Sequence, residues 1–138
     1  MHHRFHARGH RAGRAGGQFR GLITGRRRKK HQIRCEQARE GRCLLVDCLT
    51  LWLTNLLMLD DAERLAAERE ALLECLASLP GEIIFVSNET GMGVVPLGEL
   101  TRRYVDEAGW LHQALAERCQ RVVLTVAGLP LTLKGSAL

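Results

Sequence analysis

The sequence predicts an α/β fold in which the strands of a parallel sheet alternate with helices. Three short apolar runs, at residues 43–49, 82–87 and 121–128, have the length and composition of strands buried inside a sheet. Two longer segments between them carry many charges, with apolar residues recurring every three or four positions as on amphipathic helices. The order strand, helix, strand, helix, strand is typical of a parallel sheet with right-handed crossovers.

The first strand, CLLVDCL (43–49), continues into the apolar segment LTLWLTNLLML, which we expect to form a loop and a short helix against the core. The next segment, residues 60–79, predicts a helix that begins at Asp60 and Asp61 and ends at Pro80-Gly81. Its apolar stripe consists of leucines at spacings of three, four and seven: Leu65, Leu72, Leu76 and Leu79.

The second strand, EIIFVS (82–87), leads into the loop SNETGMGVVP (87–96), and residues 97–119 then predict a second helix. One face of this helix is apolar: Leu100, Tyr104, Ala108, Leu111 and Leu115. We expect His112, in the middle of the helix, to lie at the surface or at an interface. The third strand, RVVLTVAG (121–128), completes the alternation.

Residues 1–42 differ in composition from the rest of the chain. They contain 13 of its 20 Lys and Arg residues but only 2 of its 15 Asp and Glu residues, without a lasting apolar period. Such a segment buries too little apolar surface to offset the entropy lost on ordering. We therefore expect residues 1–42 to be a disordered basic head, and residues 43–138 to form a partial α/β domain. The basic run GRRRKKHQ (25–32) could bind nucleic acid, but we do not expect nucleic acid as a partner.

The composition argues against several classes of protein. No apolar stretch reaches the roughly 18–20 residues that cross a bilayer, and the amino terminus lacks the apolar region of a signal peptide. We therefore expect a cytoplasmic protein without a membrane span. The five cysteines include no Cys-x-x-Cys pair, so we expect reduced thiols rather than a disulfide or zinc framework.

Ligands of parallel α/β sheets bind at the carboxyl ends of the strands, and the first candidate there is Asp47. An acid near the end of a buried strand can hold Mg²⁺ beside nucleotide phosphates, directly or through water. The alternative is a structural carboxylate that caps the following turn. Spacing alone does not separate these two interpretations.

The second candidate is the loop that leaves the second strand. Asn88 and Glu89 offer polar groups at the edge of the sheet. Gly91 and Gly93 permit unusual backbone conformations or a close approach to a ligand. The alternative is a simple turn whose glycines adopt positive φ, and the residues themselves leave both interpretations open.

Four segments together resemble a known family: LLVDCLTLWLTNLL, IIFVSNETGMGVVP, DEAGWLHQALAERC and RVVLTVAGLPLTLK. The family is adenosylcobinamide kinase / adenosylcobinamide-phosphate guanylyltransferase, and the resemblance extends over about residues 41–134. The pattern Asn-Glu-x-Gly-Met-Gly after a strand is its most specific part. The resemblance implies a three-layer, P-loop-NTPase-like parallel sheet and a homotrimer.

The resemblance also implies two reactions that use Mg²⁺ with GTP or ATP. The first phosphorylates the aminopropanol hydroxyl of adenosylcobinamide, and the second transfers GMP from GTP onto the resulting phosphate through a guanylylated histidine. Asp47 and Glu89 would be catalytic, with Asp47 also linked to the metal. Five further residues would contact the nucleotide or substrate: Thr54, Asn55, Asn88, Gly91 and Gly93. Thr54 and Asn55, on the segment that follows the Asp47 strand, could instead cap a helix or pack against the core.

The amino-terminal part of the sequence departs from the family pattern. The family begins with a strand and a phosphate loop of the G-x-x-x-x-G-K-[ST] type, and no segment here fits that pattern. His31 lies ahead of Asp47, as the family's guanylylated histidine does, but its surroundings differ and we do not expect it to be the nucleophile. We expect an incomplete fold, lacking the first strand and phosphate loop, behind a head unrelated to the family. Activity would then be limited, and a non-catalytic folded remnant is the alternative.

Overall fold

The computed structural model describes residues 2–8, 19–23, 33 and 37–136. Its strands and helices, in chain order, are β1 (His2–Arg8), β2 (Phe19–Ile23), β3 (Cys43–Asp47), α1 (Leu49–Leu57), α2 (Ala62–Ser78), β4 (Glu82–Asn88), α3 (Glu99–Arg118), β5 (Arg121–Val126) and β6 (Leu129–Lys134). The strands and helices predicted after residue 42 are confirmed, with their ends within two residues of the expected positions. Strand β6 was not expected.

The strands form a six-stranded sheet in the order β2-β3-β4-β1-β5-β6. β2 pairs with β3, and β3 with β4, in parallel, which confirms the parallel arrangement for this part of the sheet. β1 runs antiparallel to both of its neighbours, β4 and β5, and β6 runs antiparallel to β5. The sheet is therefore mixed, and an unexpected strand separates β4 from β5.

The expectation that residues 1–42 lie outside the fold is wrong for the two strands that the structure describes there. β1 lies inside the sheet, where Phe5 is 1% exposed and pairs with Phe85 and Val122. β2 lies at one edge of the sheet, beside β3. The expected absence of an amino-terminal strand is not confirmed, because β1 occupies this inner position. The basic run 25–32, which includes His31, lies outside the described residues.

The three helices of the described residues lie together against the sheet. α1 contacts β4, α3 contacts β1, and all three helices contact one another. The strand side chains of the hydrophobic core are Phe5, Leu44, Val46, Ile83, Phe85 and Val122. The described part of the chain thus shows two of the three expected layers, the sheet and one layer of helices. Within these residues, no helix has the length and apolar character to cross a membrane.

Local sequence signals explain where α2 begins and ends. The side chain of Asp61 accepts a hydrogen bond from the backbone N–H of Arg64 at 2.9 Å, as expected of an N-cap. After the helix, Gly81 adopts a φ of 103°, and a Cβ there would lie 2.3 Å from the carbonyl oxygen of Arg39. Only glycine fits this position.

The apolar face predicted for α3 is wrong at Leu100, in the first turn, which is 52% exposed.

The cysteines divide into two groups. Cys43 and Cys48 are half-buried free thiols and Cys119 is a buried free thiol, as expected. Burial raises the pKa of Cys119 to about 11, although Lys134 nearby acts in the opposite direction. Cys75 is disulfide-bonded, so the expectation of reduced thiols is wrong for that residue.

Candidate functional site

The direction of β1 determines which residues meet at the carboxyl edge of the sheet. β3 and β4 end there at Asp47 and Asn88. Because β1 is antiparallel to β4, its amino end lies at the same edge, and His3 is in register with Ser87. A parallel strand in this position would instead have placed the loop that follows it at this edge.

Four side chains from β1, β4, the following loop and α3 form a connected group, which we call the two-histidine cluster: His3, Ser87, Glu89 and His112. One carboxylate oxygen of Glu89 accepts a hydrogen bond from the Nε2 of His3, and the other accepts one from the backbone N–H of Gly91 at 2.6 Å. The Nε2 of His112 lies 2.8 Å from the hydroxyl oxygen of Ser87. The cluster therefore connects β1 to the loop and α3 to β4.

Burial and mutual charge set the protonation of the cluster. The pKa of His112 is lowered to about 4, first by burial and then by the charge of His3, against the opposing effect of Glu89. Burial alone would raise the pKa of Glu89, but hydrogen bonds from His3 and Gly91, together with the charges of His3 and His112, lower it. At neutral pH the cluster therefore contains a neutral His112 and an ionised Glu89.

One polar atom of the cluster lacks a partner. His3 is 8% exposed, and its Nδ1 is buried without a hydrogen bond among the described residues. An unsatisfied buried polar group costs about 1–3 kcal/mol. The ring centroids of His3 and His112 are 5.1 Å apart, and Phe5 packs 5.6 Å from each of them. This apolar contact keeps water away from one side of the cluster.

A cavity of about 350 Å³ opens beside the cluster. Its lining includes His3, Glu89, Met92, Gly109, His112 and Leu133. The volume lies at the lower end of the range for small-molecule sites, about 300–1,000 Å³. Most of the wall is apolar, and its polar side chains are those of His3, Glu89 and His112 together with Thr90 and Gln113. The cavity therefore combines an apolar surface with a few polar groups.

Asp47 lies apart from the cluster. It is exposed at the end of β3 and in register with Val86. Strand residues alternate between the two faces of a sheet, so Asp47 faces away from buried Val46 and from the helices. The structure thus places Asp47 and Glu89 at the same edge of the sheet in different surroundings. The metal role of Asp47 remains a prediction.

Thr50, rather than Thr54, connects α1 to the edge of the sheet. The Thr50 hydroxyl oxygen accepts a hydrogen bond from the backbone N–H of Asn88 at 3.0 Å, and it also bonds to Tyr104 of α3. Burial raises the pKa of Tyr104. Thr54 is exposed and donates to the carbonyl of Thr50 at 2.8 Å, a bond within its own helix. Asn55 is half-buried on the same helix.

The two loop glycines have different surroundings. Neither Gly91 nor Gly93 adopts positive φ, so the interpretation of this loop as a positive-φ glycine turn is wrong. A Cβ at Gly91 would lie 3.0 Å from a carboxylate oxygen of Glu89, whereas a Cβ at Gly93 would meet no atom within 4 Å. A side chain at Gly91 would therefore make the Glu89 carboxylate shift by a few tenths of an ångström, whereas Gly93 is open to the space around the loop.

Two site histidines were not identified from the sequence. His3 belongs to the segment that was expected to be disordered, and His112 was expected at the surface or an interface. His112 is half-buried, contacts Ser87 and borders the cavity, so the surface part of that expectation is wrong, whereas a position at an interface stays a prediction. A signal was available for His112: it lies four residues after Ala108 and three before Leu115, so it shares their helical face, and both are buried.

The model of the family described as cobinamide kinase / cobinamide phosphate guanyltransferase matches residues 1–133. The chain belongs to this family. The family expected from the loop and strands is confirmed, and the match also takes in residues 1–42, which were expected to be unrelated to it.

Curated relatives agree with this assignment. The chain is 78% identical over 102 residues to the bifunctional adenosylcobalamin biosynthesis protein CobP of Pseudomonas aeruginosa, an alignment that covers 74% of the chain and 59% of the relative. It is 31% identical to CobU of Escherichia coli and 34% identical to CobU of Salmonella typhimurium, each over 104 residues that cover 66% of the chain and 58% of the relative. The chain thus spans less than two thirds of the length of these relatives.

Proposed function

We propose that this chain acts in cobalamin biosynthesis, within an enzyme that phosphorylates adenosylcobinamide and transfers GMP from GTP to adenosylcobinamide phosphate. The observation that carries the proposal is the family match over residues 1–133, together with 78% identity to a bifunctional adenosylcobalamin biosynthesis protein. The site geometry is consistent with it, because the most specific loop of the sequence borders the cavity at the carboxyl edge of the sheet.

The proposed cofactor, Mg²⁺ with GTP or ATP, suits Asp47 better than the two-histidine cluster. Mg²⁺ prefers oxygen ligands, and it is usually held by one or two carboxylates and by the phosphates of its substrate. Asp47 offers an exposed carboxylate at the strand end, whereas the cluster offers two imidazoles. When bound, the ion would neutralise charge on the transferred phosphoryl group. We assign Asp47 to the Mg²⁺ position, and we assign Glu89 to the substrate side of the same edge of the sheet.

A second candidate function is ligand binding without catalysis. Two specific observations favour it for this chain alone. The sequence contains no G-x-x-x-x-G-K-[ST] segment, and the antiparallel β1 brings His3 to the edge beside β4. Since the phosphate loop supplies the cradle and the lysine of phosphoryl transfer, we expect the chain alone to show almost no kinase turnover and no guanylyl adduct on His31.

The first experiment is an assay of the purified chain with adenosylcobinamide, Mg²⁺ and GTP or ATP. Almost no turnover, with measurable corrinoid or nucleotide binding, is the expected result. Turnover of ~1 s⁻¹, the low end for kinases, would show that the chain carries a phosphate site that differs from the G-x-x-x-x-G-K-[ST] loop. Acid-labile label on His31 after incubation with labelled GTP would overturn the assignment of that histidine.

The second experiment joins a phosphate-loop segment of the family ahead of Gly41 and compares variants of that protein. Glu89→Gln and Asp47→Asn each keep the side-chain shape and remove its charge. We expect each to lower turnover at least tenfold, equivalent to about 1.4 kcal/mol of transition-state stabilisation. Glu70→Gln, at an exposed position on α2, is the matched control. Normal turnover in Glu89→Gln would make the loop structural rather than catalytic.

We also propose that the chain assembles as a homotrimer. The loop after β4 exposes apolar side chains that an assembly or a large ligand would cover: Met92 is 69% exposed, Val94 96%, Val95 74% and Leu97 96%. Sedimentation equilibrium tests this directly. We expect a trimer mass that Val94→Asp lowers, and a monomer at every concentration would contradict the proposal.

A further inference from the structure

We propose that His3, Glu89 and His112 form a binding site for a single Zn²⁺ ion. Each side chain offers one ligand atom, and the three atoms lie within 4.8 Å of one another. Two imidazole nitrogens and one carboxylate oxygen are a ligand set that zinc takes in proteins, with a fourth position left for water. This site is separate from the Mg²⁺ position that we assign to Asp47, and it goes beyond the proposed enzymatic function.

The ligand atoms need to move only slightly to hold the ion. With Zn–N and Zn–O distances of about 2.0–2.2 Å, ligand atoms of a tetrahedral site lie roughly 3.3–3.6 Å apart. His3 and Glu89 are already in contact, and His112 lies within the 4.8 Å limit of both. Small side-chain rotations therefore bring the three atoms to the required spacing. The adjoining cavity of about 350 Å³ leaves room for the ion and a water molecule.

Neighbouring hydrogen bonds already orient two of the three ligands. The backbone N–H of Gly91 holds one oxygen of Glu89, which leaves the other directed at His3. The hydroxyl of Ser87 fixes the ring of His112 through its Nε2. Such outer contacts set the ring orientation and tautomer of metal-binding histidines and raise their affinity for the ion.

The donor types select zinc over the cation of the phosphoryl-transfer site. Magnesium and calcium take oxygen ligands, whereas imidazole suits zinc and other late first-row metals. The Nε2 of His3 already faces the carboxylate of Glu89, so an imidazole nitrogen is available where the ion would bind. The carboxylate of Glu89 supplies the oxygen ligand.

An ion at this site would join parts of the chain that are distant in sequence. His3 and Glu89 are 86 positions apart, and His112 belongs to a third element, α3. Zinc would thus hold β1 and the loop after β4 against α3. Because a site assembled from three elements exists only in the folded chain, zinc should raise its melting temperature.

The test is zinc binding by the full chain without nucleotide or corrinoid, so that its result is independent of any enzymatic activity. The purified chain is stripped with a chelator and titrated with Zn²⁺ by calorimetry, and Co²⁺ serves as an optical probe of tetrahedral coordination. We expect one ion per chain and an increased melting temperature. We expect His3→Gln, Glu89→Gln and His112→Gln each to weaken binding at least tenfold while the variants keep the circular dichroism spectrum of the folded chain.

His6→Gln is the matched control, because His6 is a histidine of the same strand, three positions after His3 and in register with Ile84. It should bind zinc as tightly as the unchanged chain. The alternative is zinc held by the neighbouring histidines of the amino-terminal sequence alone. In that case His6→Gln would weaken binding and His112→Gln would not, which would overturn the site. Should His112→Gln fail to fold, Glu89→Gln decides the same question, since that alternative does not involve Glu89.

Discussion

Glu89 and Asp47 are both acidic residues at the carboxyl edge of the sheet, yet their surroundings differ. Glu89 bonds to His3 and to the backbone of Gly91, beside a cavity and under α3. Asp47 is exposed at the end of β3, on the face opposite buried Val46. The two carboxylates therefore have different structural environments. The fold holds one inside a hydrogen-bonded cluster, and the other is accessible to a ligand that brings its own charge.

The largest effect is expected where the cluster depends on β1. Phe5→Ala removes a side chain that is 1% exposed between β4 and β5, and a large-to-small change of this kind costs about 3–5 kcal/mol of unfolding free energy. Urea denaturation followed by circular dichroism measures this loss. The control is Glu70→Ala, at an exposed position on α2, where we expect a change within about 0.5 kcal/mol. Equal effects of the two variants would mean that β1 does not occupy the sheet, and the cluster would no longer exist.

The difference between the two acids also shows what the sequence can predict. Asp47 was identified because a carboxylate after four apolar residues is a local pattern. The strands β3 and β4 and both long helices were also predicted from local patterns. Which partners each carboxylate contacts depends on segments distant in the sequence, which no local pattern reveals. His3 reaches Glu89 because β1 pairs between β4 and β5. The composition of residues 1–42, rich in Arg, Gly and His, gave no indication of that pairing.

A second prediction concerns the bond between Ser87 and His112. Ser87→Ala leaves a ring nitrogen of His112 buried without its 2.8 Å partner, and we expect a loss of about 1–3 kcal/mol in unfolding free energy. The double variant Ser87→Ala with His112→Leu removes both polar groups, so much of that loss should be recovered. Ser78→Ala, at an exposed position at the end of α2, is the control. Additive losses in the double variant would show that the two side chains are not coupled.

A third prediction compares the two acids directly. Glu89→Gln weakens a charge-assisted bond to His3, at a cost of about 1–2 kcal/mol, whereas Asp47→Asn, at an exposed position, should cost less stability. Equilibrium unfolding at pH 7 measures both. If Asp47→Asn costs more than Glu89→Gln, the assignment of structural and ligand-facing roles is reversed.

A fourth prediction concerns how the stability difference between the unchanged chain and Glu89→Gln depends on pH. The pKa of Glu89 is lowered in the folded chain, so its ionised form contributes stability above the unfolded-state pKa of about 4.5, and this contribution is lost as pH falls through the folded pKa. The stability difference between the unchanged chain and Glu89→Gln should therefore be greatest near neutral pH and should narrow below about pH 4.5. A difference that is constant from pH 7 to pH 3 would show that the charge of Glu89 contributes nothing.

The smallest effect is expected at the two loop glycines, which form a matched pair. Neither adopts positive φ, so alanine at each position reduces the freedom of the unfolded chain and should stabilise by about 0.4–1 kcal/mol where it fits. It fits at Gly93, where the added Cβ meets no atom within 4 Å, but at Gly91 it lies 3.0 Å from a carboxylate oxygen of Glu89. Gly93→Ala should therefore be slightly stabilising by equilibrium unfolding. Gly91→Ala should be neutral or slightly destabilising, and because it displaces the Glu89 carboxylate it should also weaken zinc binding. Equal zinc affinity in the two variants would mean that the loop backbone does not position Glu89, and the carboxylate of the cluster would then be held by His3 alone.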